Sequence, residues 1–187
     1  EKINGWIKWS TNAVFFDYDR DGRLDLFVCN YLAFDPAFNA YYGPENFPGP
    51  LNYLGQAAVL YRNRGDGTFE DVTERAGVGI LEDTQQALFA DVDDDGDQDL
   101  IVGTSSGPLL FLNDGTGRFS RQPGAFRFEK GLLGAPMSMA LADYDRDGLL
   151  DLYLCVYSFY YGAGEAKAGT PTPSHDAPHG PAHVLFR

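Results

Sequence analysis

One ten-residue pattern occurs three times in this chain, and it restricts the possible folds more than any other feature. The pattern is Asp-x-Asp-x-Asp-Gly-x-x-Asp-Leu, and its copies occupy residues 17–26, 91–100 and 143–152. Short apolar runs rich in Val, Ile, Phe and Tyr precede and follow each copy. Such runs, bounded by Asp and Gly, are typical of buried strands joined by a tight turn. Each copy is therefore predicted to be an acidic loop between two strands.

A second pattern is an apolar run ending in Asn, followed by a Gly-rich turn and Phe. It occupies residues 59–69 and 109–119, and the last residues, 184–187, align with its start. Its Asp and Gly residues are typical of a β-hairpin turn. Each repeat is thus predicted to run strand, acidic loop, strand, connection, strand, turn, strand. The third repeat stops inside its third strand.

Four antiparallel strands repeated along a chain are typical of propeller blades. We predict an all-β fold, a β-propeller fragment of about three four-stranded blades with the acidic loops between strands one and two. Residues 1–187 are expected to form one partial propeller domain, with blade one at about 11–75, blade two at about 84–123 and a truncated blade three at about 136–187. Propellers close with about 4–8 blades, so we expect the sequence to be a fragment of a longer protein.

Each acidic loop offers an oxygen cage for a metal ion. Carboxylates stand at positions 1, 3, 5 and 9, position 7 can add a backbone carbonyl, and Gly at position 6 allows the sharp turn. Ca²⁺ binds 6–8 oxygens at about 2.3–2.6 Å and tolerates irregular loops, whereas Mg²⁺ keeps its waters. The sequence therefore predicts about three structural Ca²⁺ sites. The predicted ligands are Asp17, Asp19, Asp21, Arg23 and Asp25 in loop one, Asp91, Asp93, Asp95, Asp97 and Asp99 in loop two, and Asp143, Asp145, Asp147, Leu149 and Asp151 in loop three.

The loop pattern allows two other interpretations. An EF-hand begins with the same residues, but it requires Glu at position 12 and flanking helices. Position 12 here is Val28, Val102 or Leu154, and the flanking segments are strand-like, so an EF-hand is rejected. The remaining alternative is a set of solvated Asp/Gly turns. Three copies with position 9 filled argue against it.

Composition narrows the possible partners. The chain has 27 acidic and 14 basic side chains, a net charge of −13. Such a field repels phosphate backbones and anionic lipid, so we expect neither nucleic-acid binding nor direct membrane insertion. The two cysteines, Cys29 and Cys155, are too few for a disulfide scaffold and occupy equivalent places in separate repeats, so we expect buried free thiols.

The acidic loop paired with Leu-Tyr-Arg-Asn-x-Gly-Asp-Gly-Thr-Phe-x-Asp-Val-Thr-x-x-Ala-Gly-Val resembles FG-GAP/VCBS-type β-propeller repeats. Such repeats occur in integrin α-subunit propellers and in many bacterial secreted proteins. The pairing is most similar to bacterial relatives of cartilage acidic protein, which often carry an ASPIC/UnbV-type segment. The resemblance implies a calcium-binding propeller that is secreted, periplasmic or on the cell surface and serves protein binding or adhesion rather than catalysis. The resemblance also implies that the Asp residues of all three loops are the calcium ligands.

Two long insertions separate strands two and three in blades one and three. The first loop Asp precedes the third strand by 19 residues in blade two, but by 43 and 42 residues in the others. Because strand direction alternates, these insertions are expected on the face opposite the calcium loops. Tyrosines on loops are frequent contact residues, so we predict a protein or glycan ligand there. The predicted contacts are Tyr41, Tyr42, Tyr160 and Tyr161.

Three function classes remain open at this point. The leading one is a calcium-stabilised binding or adhesion module, and the second is a carbohydrate-binding propeller. The third is the propeller of a secreted lyase or hydrolase whose active site lies elsewhere, although no Ser/His/Asp or Cys/His arrangement is visible. His175, His179 and His183 have a spacing that suits Zn²⁺ on a helix. The surrounding Pro and Gly residues favour a solvated loop instead.

Overall fold

The computed structural model describes residues 2–3, 6–34, 54–80, 84–128, 135–157 and 183–186. Within them the chain forms strands and one four-residue helix. In chain order the elements are β1 (Lys2–Ile3), β2 (Trp6–Phe16), β3 (Asp25–Phe34), β4 (Val59–Asn63), β5 (Phe69–Asp71), α1 (Thr73–Ala76), β6 (Thr84–Ala90), β7 (Asp99–Thr104), β8 (Gly107–Asn113), β9 (Phe119–Arg121), β10 (Ala135–Ala142), β11 (Asp151–Tyr157) and β12 (Val184–Phe186).

The strands form three antiparallel meanders in which neighbours in sequence are neighbours in the sheet. Sheet one is β1-β2-β3-β4-β5, sheet two is β6-β7-β8-β9, and sheet three is β10-β11-β12. Each acidic loop joins the first two long strands of its sheet. The prediction of an all-β, propeller-like chain is confirmed. The proposed blade boundaries stay a prediction.

Sheet one differs from the expected four strands at its amino-terminal end. Strand β2 begins at Trp6, and β1 pairs with it through Lys2 and Ile7. This pairing extends the sheet beyond the repeated pattern, which begins at Asp17, so the repeat could not predict it.

The first long strands of neighbouring sheets pack against each other, β2 on β6 and β6 on β10. Between sheets one and two, the rings of Phe16 and Phe89 stack with centroids 3.4 Å apart. The same core contains the fully buried Phe27, Leu60 and Leu100. A second, smaller core lies between sheets two and three; its buried members are Ile101, Met139, Leu152, Leu154 and Val156. The sheets lie side by side with their first long strands adjacent, and this gives the propeller-like arrangement.

Both cysteines are free thiols, as the repeat spacing predicted. Cys29 is buried, and burial raises its pKa to about 12, an effect offset only in part by Thr84. Cys155 is half-buried rather than buried. In the described part of the chain no helix has the length and apolar character needed to span a membrane.

Candidate metal centres

The three acidic loops share one backbone shape, which is set at positions 4 and 6. Glycine at position 6 has φ of +81°, +89° and +93° in loops one, two and three. Position 4 is also left-handed, although it holds Arg20, Asp94 and Arg146, with φ of 57°, 60° and 65°. A non-glycine residue there costs roughly 1–2 kcal/mol. The left-handed position 4 could not be predicted from the sequence, because Arg has no intrinsic preference for this conformation.

The first Asp of each loop holds the turn closed. The carboxylate of Asp17 accepts the backbone N–H groups of positions 5 and 6 at 3.0 and 2.9 Å. The corresponding distances are 3.1 and 2.8 Å at Asp91 and 3.1 and 3.1 Å at Asp143. The position-5 carboxylate accepts the N–H of position 7 in every loop. These bonds satisfy loop donors locally, which is why the motif fixes the same turn three times.

The last Asp of each loop is buried beneath it. Asp25 and Asp99 are fully buried, and Asp151 is 4% exposed. In loops one and two this carboxylate accepts the N–H of position 2, at 3.2 or 3.0 Å, and the N–H of the Asn that ends the third strand, at 2.7 or 2.8 Å. Burial raises the pKa of Asp25 and Asp99; the two N–H donors oppose this, and neighbouring loop carboxylates add to it. A nearby cation would favour their ionised form.

Three of the four predicted carboxylates converge in each loop. One oxygen each from positions 1, 3 and 9 lies within 4.8 Å of the other two. The three groups are Asp17, Asp19 and Asp25; Asp91, Asp93 and Asp99; and Asp143, Asp145 and Asp151. The position-5 carboxylates, of Asp21, Asp95 and Asp147, are outside these groups.

One carboxylate oxygen of loop one indicates whether a cation fits in that loop. Asp19 Oδ1 is buried and has no hydrogen-bond partner among the described residues. Its other oxygen lies 2.8 Å from the Arg62 guanidinium. A buried carboxylate oxygen without a donor is costly, and coordination of a hard cation would satisfy it. The donor set, all carboxylate oxygen, fits Ca²⁺.

The position-5 carboxylate of loop one is engaged by arginines. Asp21 accepts from the Arg23 guanidinium and, at 3.1 Å, from Arg62. Slight burial raises the pKa of Asp21, but donation from the Arg23 backbone, Arg62 and the Arg23 side chain lowers it overall. Arg62 enters from β4, and sequence spacing could not place it at the loop.

The three predicted position-7 residues have different surroundings. The side chain of Asp97 forms an ion pair with Arg20 of loop one, 2.6 Å away. Leu149 is 59% exposed, and Arg23 donates its Nε–H to the carbonyl of Asn63 at 3.2 Å. Coordination through their backbone carbonyls stays a prediction.

Neighbouring sheets touch at the acidic loops. Asn113, at the end of β8, donates from Nδ2 to the carbonyl of Tyr18 in loop one, at 3.1 Å, and to that of Gln98 in loop two, at 3.2 Å. Gly117 faces the Tyr18 ring so closely that an added Cβ would lie 2.6 Å from it. Loop one is therefore held by the hairpin of sheet two. A clue in the sequence was the Asn that ends the third strand of the first two repeats, Asn63 and Asn113.

The other residues singled out from the sequence fall mostly outside the described part of the chain. Tyr41, Tyr42, Tyr160 and Tyr161 lie outside it, as do His175 and His179. His183 is described: its Nδ1 accepts the backbone N–H of Val156 at 3.2 Å.

Comparison with known proteins identifies the repeats. The profile of the family described as FG-GAP-like repeat matches residues 51–102 and 91–154. These matches span more than half of the chain, which therefore belongs to the FG-GAP-like repeat family. The chain is also similar to cartilage acidic protein 1 of Xenopus tropicalis, 31% identical over 102 residues. That alignment takes in 50% of this chain and 15% of the relative.

Proposed function

We propose that the chain is a calcium-binding module in which about three Ca²⁺ ions stabilise the fold and take no part in chemistry. One observation carries the proposal: three loops, built alike, each bring three carboxylates within 4.8 Å of one another. Like charges so close repel when no cation is bound. In each loop one of the three carboxylates is buried, so binding would be linked to folding.

Calcium titration of thermal stability tests the proposal on the full chain. At a hundred times its dissociation constant one ion adds about 2.7 kcal/mol, which is about 5–10 °C in Tm for a domain of this size. We expect Ca²⁺ to raise Tm above the value in excess EDTA, and Mg²⁺ to raise it less. Equal Tm values in EDTA and in millimolar Ca²⁺ would refute calcium stabilisation.

A matched pair of variants assigns the effect to the ligands. Asp91→Asn removes a ligand charge from loop two. Asp94→Asn removes the same charge at an exposed position with φ of 60°, which Asn tolerates. The first variant is expected to lose about a third of the calcium-dependent rise in Tm, and the second to keep it. Equal losses would mean that net charge, not coordination, is measured.

We further propose that the module binds a protein partner outside the cell, as a secreted, periplasmic or cell-surface protein, and is not itself an enzyme. The support is membership in the FG-GAP-like repeat family and similarity to cartilage acidic protein 1. The proposed partner surface is the one opposite the calcium loops, with Tyr41, Tyr42, Tyr160 and Tyr161. Shortening both insertions to the 19-residue spacing of repeat two is expected to abolish partner capture while calcium stabilisation persists.

The alternatives have distinct outcomes. A glycan array on which the full chain binds defined sugars, with no protein recovered by pull-down, would favour a carbohydrate-binding propeller. Lyase or hydrolase activity of the full-length protein, with an active site outside residues 1–187, would favour the propeller of a secreted enzyme. The aromatic residues of the insertions are the feature that favours the sugar alternative.

A further inference from the structure

A polar cleft of about 340 Å³ lies between sheets one and two, beside loop one. Three arginines line it from three different elements: Arg62 from β4, Arg75 from α1 and Arg118 from the turn between β8 and β9. Tyr18 and Asp19 of loop one form part of the same wall. The cleft is thus assembled only when the two sheets pack.

The charges of Arg75 and Arg118 are not balanced by the lining of the cleft. Asp19 is the one carboxylate among the lining residues, and it pairs with Arg62 at 2.8 Å. Arg75 is 3.8 Å from Glu70, with half of its side chain exposed. Arg118 forms no ion pair with any described residue. A basic cleft in a chain of net charge −13 attracts a localised anionic group.

The exposed arginines indicate what the cleft receives. Arg62 already donates to Asp19 and Asp21, whereas half of the Arg75 side chain is exposed and Arg118 is exposed. A planar guanidinium can donate two parallel N–H bonds to a carboxylate, so these two arginines are suited to a carboxylate ligand.

We propose that the cleft binds a single carboxylate, presented by an acidic side chain of a protein partner. The cleft, of about 340 Å³, has room for an acidic side chain. The acidic loops on the same side repel extended polyanions, so a sulfated glycan is disfavoured. The arginines of the cleft are neither predicted calcium ligands nor residues of the insertions, so the site can fail or stand independently of the calcium and insertion proposals.

The test uses capped peptides as probes, in EDTA. Ac-Gly-Glu-Gly-amide is titrated into the full chain while the Nε–H resonance of Arg75 is followed, and Ac-Gly-Gln-Gly-amide is the uncharged control. We expect saturable shifts with the Glu peptide and none with the Gln peptide. Arg118→Gln is expected to weaken binding about tenfold, since one charge-assisted contact is lost. Arg121→Gln, an exposed arginine outside the cleft, is expected to leave it unchanged.

The contrary outcomes are distinct. Equal shifts with both peptides, or equal losses in the two arginine variants, would overturn the site. A sulfated heparin tetrasaccharide that saturates the same resonance, with no response to the Glu peptide, would replace the protein carboxylate by a glycan.

Discussion

Loop one and loop two hold the same four Asp residues on the same backbone, but they lie in different electrostatic surroundings. Arg23 and Arg62 pair with the carboxylates of loop one, whereas loop two has Asp97 and Leu112 at the matching positions. Among the described residues, the basic partner of loop two is Arg20 of loop one, which pairs with Asp97. The comparison teaches that the repeated Asp residues specify which carboxylates converge, whereas the variable positions of the motif and residues of other strands set the charge around each loop.

The largest effect is expected where the hairpin of sheet two receives loop one. Gly117→Ala places a Cβ 2.6 Å from Tyr18, at φ +78°. Gly67→Ala, at the equivalent turn of sheet one, has φ +86° and no described atom within 4 Å. We expect losses of about 2–5 kcal/mol and about 1–2 kcal/mol respectively. Denaturant unfolding measures both; equal losses would show that the Tyr18 contact contributes nothing.

A change at Arg62 tests the compensation directly. Arg62→Leu gives loop one the residue that loop two has at position 112. Removing a guanidinium that holds Asp19 and Asp21 is expected to raise the calcium affinity of loop one about three- to tenfold. Calorimetry at low salt, with loops two and three disabled, measures it. In the unmodified chain loop two is expected to be the tightest site. An unchanged or weaker affinity would mean that Arg62 does not compete with calcium.

The pair of Arg20 and Asp97 joins the two loops, and a double-mutant cycle measures it. Arg20→Gln, Asp97→Asn and the double variant are expected to give a coupling of about 0.5–1 kcal/mol, because Arg20 is 56% exposed. The equivalent residues in the next pair of loops are Asp94, at position 4 of loop two, and Leu149, at position 7 of loop three. They form no such ion pair. Coupling that survives in high salt at full size would contradict an exposed ion pair.

The smallest effect concerns position 4. Arg146→Gly relieves the strain of a left-handed backbone, but Gly also adds conformational entropy to the unfolded chain. The net effect is expected to stabilise the folded chain by about 0.5 kcal/mol. Arg20→Gly relieves the same strain but loses Asp97, so it is expected to be neutral or destabilising. Stabilisation by both to the same degree would show that the ion pair is without effect.

Many of the strands and loops of this protein could be predicted from sequence alone, because short local patterns specify them. The alternation of apolar runs with Asp and Gly predicted the strands, the hairpins and three loops between strands. The motif also predicted which carboxylates converge at positions 1, 3 and 9, since residues eight apart across a tight turn are forced together. Position 5 stays a predicted ligand, and its carboxylate accepts the N–H of position 7 in each loop.

Only the tertiary structure decided which charges reach the loops. Arg62 meets Asp21 from 41 residues away, and Arg20 meets Asp97 across two sheets. No periodicity encodes such pairs, because they depend on how strands are registered and on how neighbouring sheets pack. The arginine cleft is of the same kind: its three guanidiniums come from separate elements and meet only where sheet one and sheet two join. Local sequence therefore determined which carboxylates converge, and long-range packing determined their surroundings.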